Sequence, residues 1–120
     1  MSKAYELGLK SATLIANADL SDYQYYGVKM NTSEKVLLAS TGDKIVGVLQ
    51  DEPAAENRAC QVAYGGISKA VGGAAISAGV DVQCDASGKF VTQTTGDVVG
   101  TAWTACGGDG QLFALKIAQT

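Results

Sequence analysis

The residues of this chain that could carry chemistry are three cysteines, one adjacent pair of acids and a few glycine-rich loops, and there is no histidine among them. Without histidine the commonest general base, proton shuttle and metal ligand are missing. A serine or cysteine nucleophile would need lysine or a carboxylate as its base, and no Ser-x-x-Lys motif occurs. Asp51-Glu52 is the one adjacent acid pair. Neighbours on a strand face opposite ways, and the acids of glycoside chemistry converge from separate strands, so the pair reads as a solvated loop before Pro53. Gly65-Gly66 and Gly72-Gly73 flank Ile67-Ser68-Lys69-Ala70-Val71 without the G-x-x-x-x-G-K-[ST] run of a phosphate loop, and read as bends at the ends of a short strand. Asp85-Ala86-Ser87-Gly88-Lys89 and Gly107-Gly108-Asp109-Gly110 lack the alternating acids and terminal glutamate of a calcium loop and read as turns. Cys60, Cys84 and Cys106 form no C-x-x-C pair. They read as buried free thiols of a reducing compartment, although spacing alone also admits a Cys60–Cys84 bridge. No catalytic residue, metal site or cofactor is expected.

The elements that would hold these residues are strands. Val80-Asp81-Val82-Gln83-Cys84-Asp85 alternates strictly, as do Cys60-Gln61-Val62-Ala63-Tyr64 and Leu112-Phe113-Ala114-Leu115-Lys116-Ile117. Lys35–Ala39, Lys44–Leu49 and Phe90–Thr92 read as further strands, the last after a turn with Gly88 suited to a left-handed position. Fifteen glycines against one proline make the turns depend on positive φ. Only 73–79, Gly-Ala-Ala-Ile-Ser-Ala-Gly, reads as helical, for one or two turns. The expected class is mainly β: a small barrel or sandwich with one short helix.

At 120 residues and 12.3 kDa the chain fits one domain. Its 18 alanines leave the bulky apolar material thin, so assembly with copies of itself or onto a larger surface is expected to help hold the fold. A net charge of −3 offers no basic field for nucleic acid or anionic membrane. No apolar run reaches membrane-spanning length, and Met1-Ser2-Lys3-Ala4-Tyr5-Glu6 does not open like a secretory signal, so synthesis in the cytoplasm is expected.

Residues 1–32 differ in kind. They hold Tyr5, Tyr23, Tyr25 and Tyr26, half of the aromatic residues, with few paired strand signals. The three clustered tyrosines read equally as a cap on the core or as contacts to a partner. Thr41-Gly42-Asp43-Lys44-Ile45-Val46-Gly47 returns one residue shorter as Thr95-Gly96-Asp97-Val98-Val99-Gly100. This repeat is either the common grammar of turn and strand or the mark of two pseudo-symmetric hairpins closing on each other.

From Tyr25 to Ile117 the chain resembles the small capsid cement, or head decoration, proteins of tailed bacteriophages. The resemblance runs through Ala18-Asp19-Leu20-Ser21, Tyr25-Tyr26-Gly27-Val28-Lys29, Gly42-Asp43 and Gly47-Val48-Leu49-Gln50-Asp51-Glu52-Pro53-Ala54. It continues through 62–69, 74–82, 85–89, 96–102 and 112–117, and the order and spacing of these pieces carry it. The resemblance implies a β-tulip domain over 33–120 with an extended, capsid-contacting arm over 1–32. It also implies a homotrimer at three-fold positions on the outer surface of an expanded virion head. There it would clamp major capsid subunits against internal DNA pressure, touching neither nucleic acid nor membrane. Residues expected at the capsid or trimer contact are Tyr5, Leu14, Ile15, Tyr23, Tyr25, Tyr26 and Trp103. The competing reading is a carbohydrate- or surface-binding β module in which Trp103 and Tyr64 stack on a sugar ring.

Overall fold

Short runs of Val, Leu, Ile and Phe between glycine turns cannot bury a face alone, so they must pair into a sheet. The computed structural model, which describes residues 4–53 and 55–118, forms nine strands from them. Residues 1–3, Ala54 and 119–120 lie outside the described residues, and with them the start of the opening segment weighed as a leader and the last residue of the Gly47–Ala54 motif. The strands are β1 (Leu7–Ala16), β2 (Gly27–Met30), β3 (Lys35–Leu38), β4 (Gly47–Leu49), β5 (Ala59–Val71), β6 (Asp81–Cys84), β7 (Phe90–Thr92), β8 (Gly100–Ala102) and β9 (Leu112–Ile117).

Their order is β1-β3-β2-β4-β5-β9-β8-β6-β7, and β1 also pairs with β5. The first five strands therefore form a closed circuit, in which the β1–β3 contact is parallel and every other is antiparallel. A second circuit runs β5-β9-β8-β6-β7 and returns to the end of β5 through the parallel bridge of Gly72 with Phe90. The 13-residue β5 belongs to both. Val28, Val36, Leu49, Cys60 and Val62 fill the smaller core, while Val82, Cys84, Phe90, Phe113 and Leu115 lead the larger. Val48 points into the larger core and Leu49 into the smaller, while Gly47 is covered by the backbone of β5 at Ala63, so all three residues of β4 are buried. Phe90 and Phe113 meet edge to face, 6.3 Å between centroids.

The mainly β expectation is met, with two corrections inside it. Residues 73–79 are bends and a turn and form no helix. Ile76 exchanges two backbone hydrogen bonds with Cys106 (3.0 and 2.9 Å) and buries its side chain in the larger core. Two glycines beside a run this short give a helix too little propensity to nucleate against that pairing. The residues between the glycine pairs are not a separate strand: β5 runs unbroken from Ala59 to Val71. Gly66, at φ 88°, sits against Gly8, at φ 63°, and no side chain fits between their backbones. The register of β1 against β5 shifts there, and the core-facing set of β5 changes from Ala63 to Ala70.

Two strands, β1 and β2, come from residues 1–32, and Ala16, Leu20 and Val28 lie in the smaller core. Cys60, Cys84 and Cys106 are buried and unpaired, Cys60 in the smaller core and the other two in the larger.

Candidate interaction surface

The loops that could have suggested chemistry use their polar groups to hold turns. The Asp85 carboxylate accepts the N–H groups of Ser87 (2.8 Å) and Lys89 (3.1 Å). Lys89 in turn pairs with Asp109 at 2.9 Å, tying the two glycine-containing loops together. Asp51 accepts the Gln61 N–H, and Glu52 is exposed beside it. Among the described residues no three His, Cys, Asp or Glu side chains are grouped to hold a metal ion. Burial pushes the Cys60 thiol up to about 11, aided by Asp51, and the Cys84 thiol up to about 12, aided by Asp85 and Asp43. Both are inert protonated groups near neutrality.

Tyr25 holds a left-handed backbone, φ 71°, where the chain passes between β4 and β5. Its N–H donates to the Leu49 carbonyl (2.7 Å) and its own carbonyl accepts from Val71 N–H (3.1 Å). The ring packs partly on the larger core, with the Lys69 ammonium 5.9 Å from its centroid. Tyr23 packs on the smaller core and meets Tyr26 edge to face at 5.2 Å. All three tyrosines are half-buried. Trp103, 49% exposed, follows β8 and donates its N–H to the Ala114 carbonyl at 2.8 Å. Ala114 is the partner of Lys69 across β5 and β9. Tyr25, Lys69, Ala114 and Trp103 thus make one row across the sheet. Leu14 and Ile15 point opposite ways from β1: Leu14 packs on the smaller core, and Ile15 is exposed opposite Ala59 and Lys35. Tyr5 is exposed just ahead of β1.

The same face carries residues that sequence reasoning missed. Leu7, 63% exposed, pairs with Ile67, which also pairs with Lys116; Leu112 pairs with Val71. The alternation of β9 held the signal for Leu112 and Lys116, because its even positions must face away from buried Phe113, Leu115 and Ile117. Leu7 had no such signal. Its strand has a bulge and lacks a clean period of two.

β1 also leaves an edge open. β3 joins it only at Ile15 and Ala16, so from Leu7 to Thr13 it is paired on the β5 side alone among the described residues. Gln61 directs its carbonyl to Gln50 N–H and its N–H to Asp51, on the β4 side. The Thr13–Gln61 and Ser11–Ala63 pairs are therefore not hydrogen-bonded pairs, and the backbone groups of Thr13 and Ser11 point out of the open edge.

The sequence model of a family described as phage cement protein matches residues 12–117. Comparison with curated proteins gives no match. Among solved structures the chain is similar to the head fiber gp8.5 N base of bacteriophage phi29. The TM-score is 0.67 at 18% identity, over 92% of this chain and 94% of that one, a likeness of fold.

Proposed function

The chain belongs to the phage cement protein family, and we propose on that premise that it decorates the phage head as a homotrimer. In this reading it is made in the host cytoplasm and seats on the outer surface of the expanded shell at three-fold positions. It clamps neighbouring major capsid subunits against the pressure of packaged DNA and touches neither nucleic acid nor membrane. The paired strand circuits support a small barrel of the β-tulip kind as its scaffold.

The observation that carries the reading is the open edge of β1 with Tyr5, Leu7 and Ile15 exposed along or beside it. An unpaired edge of about 20 Å, at 3.3 Å per residue, is a template for a strand of another protein. It gives the segment 1–32 a capsid-contacting role through β1, which remains part of the sheet. A protein that binds the assembled shell and not its separated subunits stabilises the shell by mass action, by ~2.7 kcal/mol per site at roughly 100 times the Kd. Multiplied over many sites, this needs no catalysis.

Heads assembled without this chain, and the same heads after adding it back, provide the test. The added protein is expected to sediment with expanded heads and to raise the temperature at which they release DNA. Equal release temperatures with and without it would reject the function.

A further inference from the structure

The long strand β5 has different neighbours on its two edges. β1 takes one edge, from Ala59 to Ile67. β4 pairs with Val62 and Ala63, and β9 with Ile67 to Val71. Each shares a residue of β5 with β1, so both lie on the opposite edge. Residues 64–66 pair with neither of them. A cleft of about 310 Å³ opens there, lined by Val46 and Gly47 where the chain enters β4 and by Ile117 where it leaves β9.

The walls of this cleft are the two repeat copies. They touch at Gly42 and Gly96, and from that contact Lys44-Ile45-Val46 lines one side and Asp97-Val98-Val99 the other. Lys44, Ile45 and Val46 also border a second cleft, of about 370 Å³, which reaches exposed Met30. The shared wall makes the site an elongated groove. Neither wall is a strand, and the backbone N–H groups of Lys44, Ile45 and Val98 have no hydrogen-bond partner among the described residues. Val98 is 45% exposed, while Val99 beside it is buried. Lys44 and Asp97 are exposed at the rim, one on each wall, and neither is in an ion pair among the described residues. Asp43, next to Lys44, is already held by Lys29.

Unpaired backbone donors beside apolar side chains suit an extended peptide, which offers carbonyls along its length and a side chain on one face at every second residue. A small molecule would need several polar groups converging on it, and here one ammonium and one carboxylate stand on opposite walls.

We infer that the groove holds an extended segment of a shell subunit, with an apolar side chain beside Val98 and Ile117, an acid toward Lys44 and a base toward Asp97. This rests on the head-decorating reading and gives it a second contact. The first, the open edge of β1, faces away from β5, whereas the groove lies beyond the other edge of β5. β1 and β5 therefore stand between the contacts, and one protomer can hold two segments at once. A protein that holds a single subunit binds it equally in the shell or apart. One that holds two prefers the assembled shell, as stabilisation by mass action requires.

The test is binding of the full chain to expanded heads assembled without it, read as protein sedimenting with heads over a concentration series. Val98→Lys puts a charge in the groove at an exposed position, and Lys44→Glu with Asp97→Lys reverses the rim at constant net charge. Both variants are expected to keep the melting temperature and solution mass of the wild type. Each should bind heads roughly tenfold more weakly, a loss usual for one damaged contact of an interface. Val98→Lys combined with Ser11→Pro, which blocks the open edge of β1, should weaken binding by about the product of the separate losses. Wild-type affinity in either folded variant, or a combined variant no weaker than Val98→Lys alone, would overturn the inference and leave head decoration standing. A smaller solution mass for folded Val98→Lys would assign the groove to a second copy of this chain and overturn it as well. Wild-type protein that ignores heads would instead refute the proposed function on which the inference rests.

Discussion

Gly42 and Gly96, the central residues of the two Thr-Gly-Asp copies, lie backbone against backbone. Asp97 N–H donates to the Gly42 carbonyl at 3.1 Å, and a methyl group on Gly42 would sit 3.0 Å from the Gly96 Cα. The buried Gln83 side chain holds the junction, its Oε1 accepting the N–H groups of Thr94 and Gly96 at 2.9 Å each. The repeat visible in the sequence is thus a physical contact between its two copies.

Gly96→Ala should destabilise the fold. Its added methyl would press on the Gly42 Cα and crowd the Gln83 amide. Overpacking of this kind costs about 1–3 kcal/mol. Chemical denaturation should show a lower midpoint with an unchanged slope, and an unchanged midpoint would mean that the two turns separate freely.

Ser11→Pro should separate docking from folding. Proline there removes an N–H directed out of the open edge and leaves the bonds between β1 and β5 in place. Removing residues 2–20 outright would take away β1, Ala16 and Leu20, and so the fold itself. The proline variant is expected to melt like wild type and to bind heads roughly tenfold more weakly per site, with Ser11→Ala as the control that binds normally. Undiminished binding by the proline variant would show that capsid docking uses another surface.

Alkali should unfold the protein through its buried thiols. Burial raises Cys60 to about 11 and Cys84 to about 12 from the 9.0 of an exposed thiol. Below pH 9 both states keep the proton and the stabilisation is complete. Between pH 9 and the folded value the unfolded chain loses the proton while the native one retains it. Stability therefore falls by up to ~1.4 kcal/mol per pH unit for each thiol. Thiolate absorbance should appear only together with unfolding, and a disulfide reagent at pH 8 should leave the native thiols untouched. Rapid labelling of the folded protein would contradict this burial.

Much of the sheet was legible because a strand's facing is set by neighbours two residues away. Phe90–Thr92 and Leu112–Ile117 were read with the limits they have, and Lys35–Ala39 within a residue. Lys44–Leu49 was read too long: only Gly47–Leu49 pairs. β1 escaped notice because its bulge and one-sided pairing break the alternation that periodicity relies on. The short helix expected over 73–79 gave way to the bridge between Ile76 and Cys106, a contact thirty residues apart in sequence that no local pattern announces.

The sequence by itself determined the β class, the turns, the want of histidine chemistry and the ordered motifs that mark the family. These depend on residue types and on spacings within a few positions. Tertiary structure alone decided that β5 is shared by two circuits, that β1 keeps an open edge among the described residues, and that the two Thr-Gly-Asp turns touch. Each of these follows from which distant segments pair. Pairing is chosen by the burial of the whole chain, whose long-range partners local periodicity does not encode.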